Sequence, residues 1–472
     1  MKCFSIYSNQ IKKRFDPKFL ITSLLLQENK SDKITYKKLS EFLLTPPQYG
    51  ANEVAVDWSE NSVYRYIRIT DIDECGNLKT NDIKTTSYVD TRYELEENDI
   101  LFARSGATAG KCLIYKKDYG KAIFAGYLIR FKINPQKLNP MFLFYYTQTK
   151  YYKDWVKSIQ RPAGQPNINS KEFCSLEIPV FTDNDEENLK IQENIISIME
   201  QAYTLKSQYE EEANSLLISL NNLVTNELNI KIPNTKFKQY FSINSQNILN
   251  NRIDPHYHQP KFSEIENYLN NCQYKQYKIG DIAIKISSGA TPLSGGDAYT
   301  DSQTGIPFIR SGDINLYDSI NYENILYIKE NVHNTILKSS QLQFEDILVA
   351  IVGATIGQVS MYKNQTSANI NQAIALIRVD KNRIIPEYLK IYLLSRLGQE
   401  ELNRNKRPVA RANLNLEEIA NINILIPDFQ TQQNIIDKFN NSLCEINQNF
   451  NEARKEFEQA KIKIEKMILG EE

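Results

Sequence analysis

Residues 99–110 read DILFARSGATAG, and residues 346–357 read DILVAIVGATIG. These two stretches are the centre of an internal repeat, because further matches flank them in the same order in both halves of the chain. RFDP at 14–17 matches RIDP at 252–255, YIR at 66–68 matches FIR at 308–310, and Ile-Pro at 178–179 matches Ile-Pro at 426–427. Ordered matches of this kind predict two similar structural units.

Each half has the same layout. Runs of β-branched and aromatic residues at 64–70 and 346–351 are typical of strands, and the stretches 140–157 and 386–403 are predicted to be helical. An Ile-Pro pair, a break and a long helix then close each half. The fold class we expect is α+β, with two similar mixed α/β domains and an approximate two-fold internal repeat.

Two long helices are the clearest secondary-structure prediction, because residues 188–228 and 430–469 contain neither Gly nor Pro. Apolar residues recur in steps of three and four, which is the pattern of a coiled coil. In the first helix they are Ile198, Ala202, Leu205, Tyr209, Ala213, Leu216, Leu220 and Leu223; in the second they are Ile435, Phe439, Leu443, Ile446, Phe450, Ala453, Phe457, Ala460, Ile464 and Met467.

Two arrangements of these helices fit the pattern. Each helix packs on its own domain, or the two pair with each other as antiparallel spacers. We favour the pair, because the lengths match and both seams are narrow. The predicted division is domain 1 at 1–184, spacer helix 1 at 185–230, domain 2 at 231–428 and spacer helix 2 at 429–472.

Composition is that of a chain outside the membrane. No apolar run among the 472 residues approaches the roughly 18 that a membrane-spanning helix requires. Six cysteines occur without a Cys-x-x-Cys pair, which favours free thiols in a reducing cytoplasm. The net charge is −1, but basic residues are in excess in 1–180 and 231–427, and acidic residues in 181–230 and 428–472. The two large blocks are therefore the parts suited to phosphate contacts.

The order and duplication of the motifs resemble type I restriction specificity subunits. The resemblance rests on Arg-x-Asp-Pro, on DILxAxxGATxG, on the Ile-Pro that precedes a Gln-rich helix, and on PPQYG at 46–50 and SGATP at 288–292. It covers nearly the whole chain. One difference between the halves within the motif is Val352, which stands opposite Ser105. Just after the motif Gln358 stands opposite Lys111, which argues against a phosphate-binding role shared at that position.

The resemblance implies two target recognition domains that read an asymmetric, bipartite site in double-stranded DNA, in a system of phage defence. It implies two modification subunits that methylate adenine with S-adenosylmethionine, and restriction motor-nuclease subunits that use ATP and Mg. The major groove recurs about every 34–36 Å on one face of DNA, so two domains that read it must be held at a fixed separation and rotational phase. A rigid helical spacer would do this.

Three classes of function compete. The first is a non-catalytic specificity subunit, of a type I complex or of a related type II enzyme. The second is a self-sufficient methyltransferase or nuclease, which the sequence disfavours: it has no Asn/Asp-Pro-Pro-Tyr/Phe loop, no Walker A motif and no Pro-Asp…Glu-x-Lys cluster. The third is a coiled-coil adaptor that binds only proteins. We expect no catalytic residue, no cofactor and no metal in this chain; His256 and His258 read as a surface pair.

Candidate DNA-contacting residues come first from the loops after the second helical stretch. Arg, Gln and Asn are the side chains that make bidentate contacts to bases. The matched loops supply Arg161, Gln165 and Asn167 in the first half, and Arg407, Arg411 and Asn413 in the second. The alternative is a solvated loop that caps the following helix.

Further candidates lie at the repeat motifs. Arg68 and Arg310 are predicted either to contact DNA or to pair with Asp71 and Asp313. The GATxG glycines form a tight turn or a phosphate cradle, with Arg104 and Lys111 beside the first. Gln48, Tyr49, Ser288 and Thr291 are predicted to lie on loops that enter a groove, where Tyr49 stacks on a base or fills a core.

Overall fold

A computed structural model describes residues 33–160, 166–232, 236–248, 252–293, 297–315, 319–407 and 412–471. By compactness the chain divides into two units. Unit 1 comprises residues 1–210 and 451–472, and unit 2 comprises residues 211–450. The first copy of the Arg-x-Asp-Pro motif, at 14–17, lies outside the described residues. No helix in the described ranges combines the length and apolarity that a bilayer crossing requires.

Unit 1 is built around a four-stranded antiparallel sheet of order β2-β9-β6-β7. Strands β1 and β10 form an antiparallel pair, β3 and β5 another, and β4 pairs with β8 in parallel. The elements are β1 Thr35–Lys38, β2 Gln48–Tyr49, β3 Ala55–Asp57, β4 Arg65–Ile67, β5 Lys84–Thr86, β6 Ile100–Ala103, β7 Cys112–Ile114, β8 Ala122–Phe124, β9 Leu128–Phe131, α1 Pro140–Tyr146, α2 Lys150–Ile159, α3 Ser170–Cys174, β10 Glu177–Val180 and α4 Asp185–Glu227, whose first part belongs to this unit.

Unit 2 repeats this plan. Its central sheet has the order β12-β21-β18-β19, β11 pairs with β22 antiparallel, and β14 pairs with β20 in parallel. The elements are α5 Pro260–Asn270, β11 Gln276–Lys278, α6 Ile279–Ile282, β12 Ala283–Ser288, β13 Tyr299–Thr300, β14 Ile306–Ile309, β15 Ile314–Asn315, β16 Ser319–Ile320, β17 Leu326–Ile328, α7 Glu330–Asn334, β18 Ile347–Ala350, β19 Val359–Met361, β20 Asn369–Ile370, β21 Ile374–Val379, α8 Pro386–Leu394, α9 Arg396–Asn405, α10 Leu416–Ala420, β22 Asn423–Leu425 and α11 Phe429–Leu469, whose first part belongs to this unit.

The two units therefore confirm the repeat and the fold class. Strands β6 and β18, which follow Asp99 and Asp346, are buried at every residue, and this explains their uninterrupted apolar sequence. Both aspartates are buried as well, and both pair with an arginine of the neighbouring strand. Asp99 lies 3.4 Å from Arg130, and Asp346 lies 2.7 Å from Arg378. The Asp of the DIL motif thus belongs to the core of each unit.

The predicted helical stretches are each broken into two helices, which the apolar pattern did not indicate. In unit 1 the break precedes Lys150, where the Thr149 hydroxyl accepts a hydrogen bond from the Tyr152 amide. In unit 2 Ser395 caps the second helix in the same way, through the Gly398 amide. Ser and Thr at these positions start a new helix because their oxygens satisfy amides that the first turn leaves unpaired.

The long helices begin at Asp185 and Phe429, as expected from the sequence. A buried glutamine near the start of each helix fastens it to its own unit. Gln192 accepts a hydrogen bond from the Asn139 amide at 2.8 Å, and Gln432 accepts one from the Ile385 amide at 2.9 Å. The two matched glutamines thus join each long helix to the N-terminus of a shorter helix, α1 in unit 1 and α8 in unit 2.

Within each unit, a segment of one long helix packs with a segment of the other. In unit 1 the Tyr203 and Phe457 rings meet edge to face with centroids 4.7 Å apart. In unit 2 Lys438 pairs with Glu227 at 2.7 Å. The predicted seam is wrong at Leu205 and Phe450, which are each 40% exposed. Each compact unit includes parts of both helices, which differs from a division into four successive domains.

Candidate nucleic-acid interface

The glycine loop and the polar loop after the second helix lie side by side in each unit. In unit 1 the Gly106 amide donates to the Pro166 carbonyl at 2.9 Å, and the Ile168 amide donates to the Arg104 carbonyl at 2.8 Å. In unit 2 Gly353 donates to Ala412 at 2.9 Å, and Leu414 donates to Ile351 at 2.9 Å. The fold therefore joins two sequence segments that were singled out separately.

Each glycine loop is a tight turn between two strands. Gly106, Gly110, Gly353 and Gly357 have φ between 70° and 93°, a region that favours glycine. The loop amides are used inside the fold: Gly110 donates to Ala103 at 2.8 Å, and Lys111 donates to Thr108 at 2.9 Å. This geometry favours the turn interpretation of the motif over a phosphate cradle.

Lys111, beside the first turn, is engaged by its own unit. Its ammonium lies 2.7 Å from the Glu74 carboxylate and donates to the Ile72 carbonyl at 3.3 Å. Its side chain is only 19% exposed. The Glu74 partner offsets the charge that a phosphate contact would use.

Arg68 and Arg310 occupy equivalent places and make the same bidentate ion pair. Arg68 donates to Asp71 at 2.6 and 3.1 Å, and Arg310 donates to Asp313 at 2.8 and 3.0 Å. The hydrogen-bonded carboxylate in each case raises the pKa of the arginine above its usual value. Of the two predicted roles, the geometry supports the structural ion pair with Asp71 and Asp313. A contact of these arginines with DNA stays a prediction.

Gln48 and Tyr49 form the short edge strand of the unit 1 sheet. The Gln48 amide donates to the Arg92 carbonyl at 3.2 Å, and its oxygen accepts from Arg130. The Tyr49 hydroxyl accepts from the Ser170 amide at 3.1 Å and donates to the Ser170 hydroxyl at 3.2 Å. Tyr49 is 37% exposed, so it lies at the surface and does not fill the core.

Arg104 stacks on Tyr49, with the guanidinium carbon 4.9 Å from the ring centroid. Its Nε atom is buried and has no hydrogen-bond partner, and no carboxylate among the described residues forms an ion pair with it. A stacked arginine without a counter-ion differs from Arg68 and Arg310. It has donors left for a ligand.

In unit 2 the corresponding edge carries Ser288 and Thr291. Ser288 ends β12 and lies opposite Ala375, and the Thr291 hydroxyl donates to the Gln372 side-chain oxygen. The glycine that follows Ser288 is required by space: a Cβ on Gly289 would lie 1.6 Å from the Ile370 carbonyl oxygen. A Cβ on Gly50 would likewise lie 2.4 Å from the Phe124 carbonyl oxygen.

The structure describes only part of each polar loop, at 161–167 in unit 1 and 407–413 in unit 2. Asn167 and Asn413 are exposed and pair through their backbones with Ser105 and Val352, respectively. Arg407 is about half exposed and donates to Glu418 at 2.8 Å, and that carboxylate raises its pKa. Arg161, Gln165 and Arg411 lie outside the described residues.

The histidine pair has backbone partners. His256 lies 2.7 Å from the Asn403 carbonyl oxygen, and His258 bonds the Arg252 carbonyl. In the part of the chain that the structure describes, no three His, Cys, Asp or Glu side chains are grouped to hold a metal ion.

Two surface residues of this region were not predicted. Tyr127, 63% exposed, accepts the Arg104 amide on its carbonyl at 3.0 Å, and Gln372 is exposed beside Thr291. Neither lies in a repeat motif, and the search for matching motifs therefore passed over them. An alignment of the two halves would have marked both positions as different between the halves.

Comparison with known proteins gives a consistent result. The family model described as type I restriction modification DNA specificity domain matches residues 55–217 and 271–453, once in each half. The Escherichia coli type I restriction enzyme EcoBI specificity subunit is 32% identical over 136 residues, which are 29% of this chain and 28% of that protein. The Salmonella potsdam StySPI specificity subunit is 26% identical over 163 residues, 33% of this chain and 34% of that protein.

These matches span about a third or less of the length of each curated relative. A solved structure, described as the structural basis of complex assembly and conformational transition of the type I R-M system, aligns with a TM-score of 0.55. Its sequence identity is 15%, and the alignment covers 93% of this chain and 97% of that one. At this identity the likeness concerns the fold alone.

Proposed function

The chain belongs to the type I restriction modification DNA specificity family, and we propose that it reads an asymmetric, two-part DNA sequence on behalf of separate catalytic subunits. The observation that carries the proposal is that the two units share one backbone plan but present different side chains at the same surface. Unit 1 has the exposed Tyr49 and the partly exposed Arg104 where unit 2 has the partly exposed Ser288 and the buried Ile351. Two similar frames with different surface chemistry suit two half-sites of different sequence.

The residues that match between the units are suited to a contact that does not depend on sequence. Asn167 and Asn413 are exposed at equivalent positions beside the glycine turns. Amides of this kind commonly contact phosphate and sugar and fix the register of a protein on DNA. The base-reading residues are then expected where the units differ.

The proposed partners are double-stranded DNA, two modification subunits and restriction motor-nuclease subunits. We assign S-adenosylmethionine to the modification subunits and ATP with Mg to the restriction reaction, and we assign no catalytic step to this chain. The complex would act in the cytoplasm, where it would meet phage DNA. Linking two weak readers raises overall affinity by about 10²–10⁴ if both engage together.

Gel shifts test the proposal. The full-length chain is assayed on random double-stranded DNA, alone and with the modification subunits of its own system, and the methylated sequence is found by methylome sequencing. We expect sequence-specific binding with the subunits and one bipartite methylated motif. Methyl transfer by the chain alone would identify an enzyme instead, and absence of binding under both conditions would favour a protein adaptor.

A further inference from the structure

The backbone positions of residues 104 and 351 are equivalent. The Arg104 amide donates to the Tyr127 carbonyl at 3.0 Å, and the Ile351 amide donates to the Ala373 carbonyl at 2.9 Å. The carbonyls of 104 and 351 both accept from the polar loop, at 2.8 and 2.9 Å. One frame therefore holds both positions, with matched bonds on either side.

The side chains on this frame differ completely. Unit 1 presents the Arg104 guanidinium on the Tyr49 ring, next to the exposed Tyr127. Unit 2 has Ile351, 5% exposed, and Ala373, 8% exposed. A polar aromatic surface in one unit is thus an apolar, closed surface in the other.

The contacts around Arg104 orient its guanidinium group and leave hydrogen-bond donors without a partner. The Tyr49 hydroxyl is fixed by two hydrogen bonds to Ser170, so the ring is a rigid platform that sets the plane of the guanidinium. The buried Nε of Arg104 has no hydrogen-bond partner. That atom is out of reach of a ligand, but Arg104 as a whole is partly exposed, and its terminal amino groups have no hydrogen-bond or ion-pair partner among the described residues. These two groups are therefore the donors available to a ligand.

On the basis of the proposed function, we propose that Arg104 reads a guanine in the half-site bound by unit 1, and that Tyr49 is the residue that positions it. Arginine donates two parallel hydrogen bonds to O6 and N7 of guanine, and this is the commonest specific contact in the major groove. Unit 2 has no arginine at this position, so the guanine contact belongs to one half-site. The matched Arg68 and Arg310 cannot supply this difference, since both units have them in the same ion pair.

The test measures base preference in the assembled complex. The full chain, co-purified with its modification subunits, selects sites from a random double-stranded DNA library as wild type, Arg104→Ala and Arg104→Lys. Arg92→Ala is the matched control, because Arg92 is a 78% exposed arginine of the same unit that pairs with Asp90. Thermal unfolding of each variant checks that unit 1 remains folded.

We expect Arg104→Ala to reduce discrimination for guanine by about 5- to 150-fold at one position of one half-site, and to leave the other half-site unchanged. Arg104→Lys keeps the charge but loses the planar fork, so it relaxes the same position while the salt dependence of binding stays that of the wild type. Arg92→Ala is expected to keep the wild-type preference.

Two results would overturn the assignment. An unchanged motif in both Arg104 variants would remove Arg104 from base recognition. A uniform loss of affinity for all sequences with a smaller salt slope, without a relaxed position, would make it a phosphate contact. If the wild-type complex itself shows no sequence preference, the proposed function fails, and that outcome is distinct from both.

Discussion

The buried glutamines that anchor the long helices give a quantitative comparison between the units. Gln432 makes two buried hydrogen bonds through its side chain: its oxygen accepts from the Ile385 amide at 2.9 Å, and its nitrogen donates to the Pro427 carbonyl at 2.8 Å. Gln192 makes only the first of these, to the Asn139 amide at 2.8 Å, and its nitrogen is buried without a partner. Both side chains are at most 1% exposed.

Replacement by leucine keeps a similar volume and removes the polar atoms. In Gln432→Leu two buried backbone groups lose their partners, and each unsatisfied group costs about 1–3 kcal/mol, so we expect a loss of about 2–6 kcal/mol. In Gln192→Leu only one backbone group is left unpaired, and an unpartnered buried amide nitrogen disappears at the same time. The expected loss is therefore smaller, about 0–2 kcal/mol.

Urea unfolding followed by far-UV circular dichroism measures both variants against the wild type, and hydrogen exchange of the Ile385 and Asn139 amides gives a local readout. The Ile385 amide is expected to lose more protection in Gln432→Leu than the Asn139 amide loses in Gln192→Leu. Equal losses, or a larger loss in Gln192→Leu, would refute the reasoning that counts buried polar partners.

Three further predictions follow from the same structure. Burial raises the pKa of Glu401 above its usual 4.5. At a pH between 4.5 and the raised pKa, the folded chain keeps a proton that the unfolded chain has released, so the free energy of unfolding falls as pH rises through this window. Glu401→Gln has no proton to lose and is expected to flatten that part of the curve of melting temperature against pH; an unchanged slope would contradict this reasoning. Charge reversal of the acidic run on α4 should weaken co-purification with the modification subunits, and undiminished recovery would place their docking surface elsewhere; the run is Glu210, Glu211 and Glu212. Insertion of one helical turn within 200–225 should change the gap between the half-sites in the methylated motif, and an unchanged gap would exclude a ruler function for α4.

The sequence by itself determined the repeat, the fold class and the two long helices. Periodic apolar residues and the absence of Gly and Pro are local properties, so from them the two helices could be predicted to begin at about 188 and 430, close to their starts at Asp185 and Phe429. The breaks at Thr149 and Ser395 were missed because a single capping hydroxyl decides them. The exposure of Leu205 was missed because a seam also depends on what packs against it.

Only the tertiary structure decided which polar residues are engaged and which have donors left. Arg68 and Arg104 both lie in the stretches that repeat, but only Arg68 has an aspartate, Asp71, three residues further on, so the sequence suggests an ion pair for Arg68 and says nothing about the partner of Arg104. Asp71 pairs with Arg68, whereas the fold brings Tyr49 from a distant strand under Arg104, and no carboxylate in the described part of the chain forms an ion pair with Arg104. The stacking of Arg104 on Tyr49 joins residues that are far apart in the chain, and such a contact exists only after the strands and loops have packed.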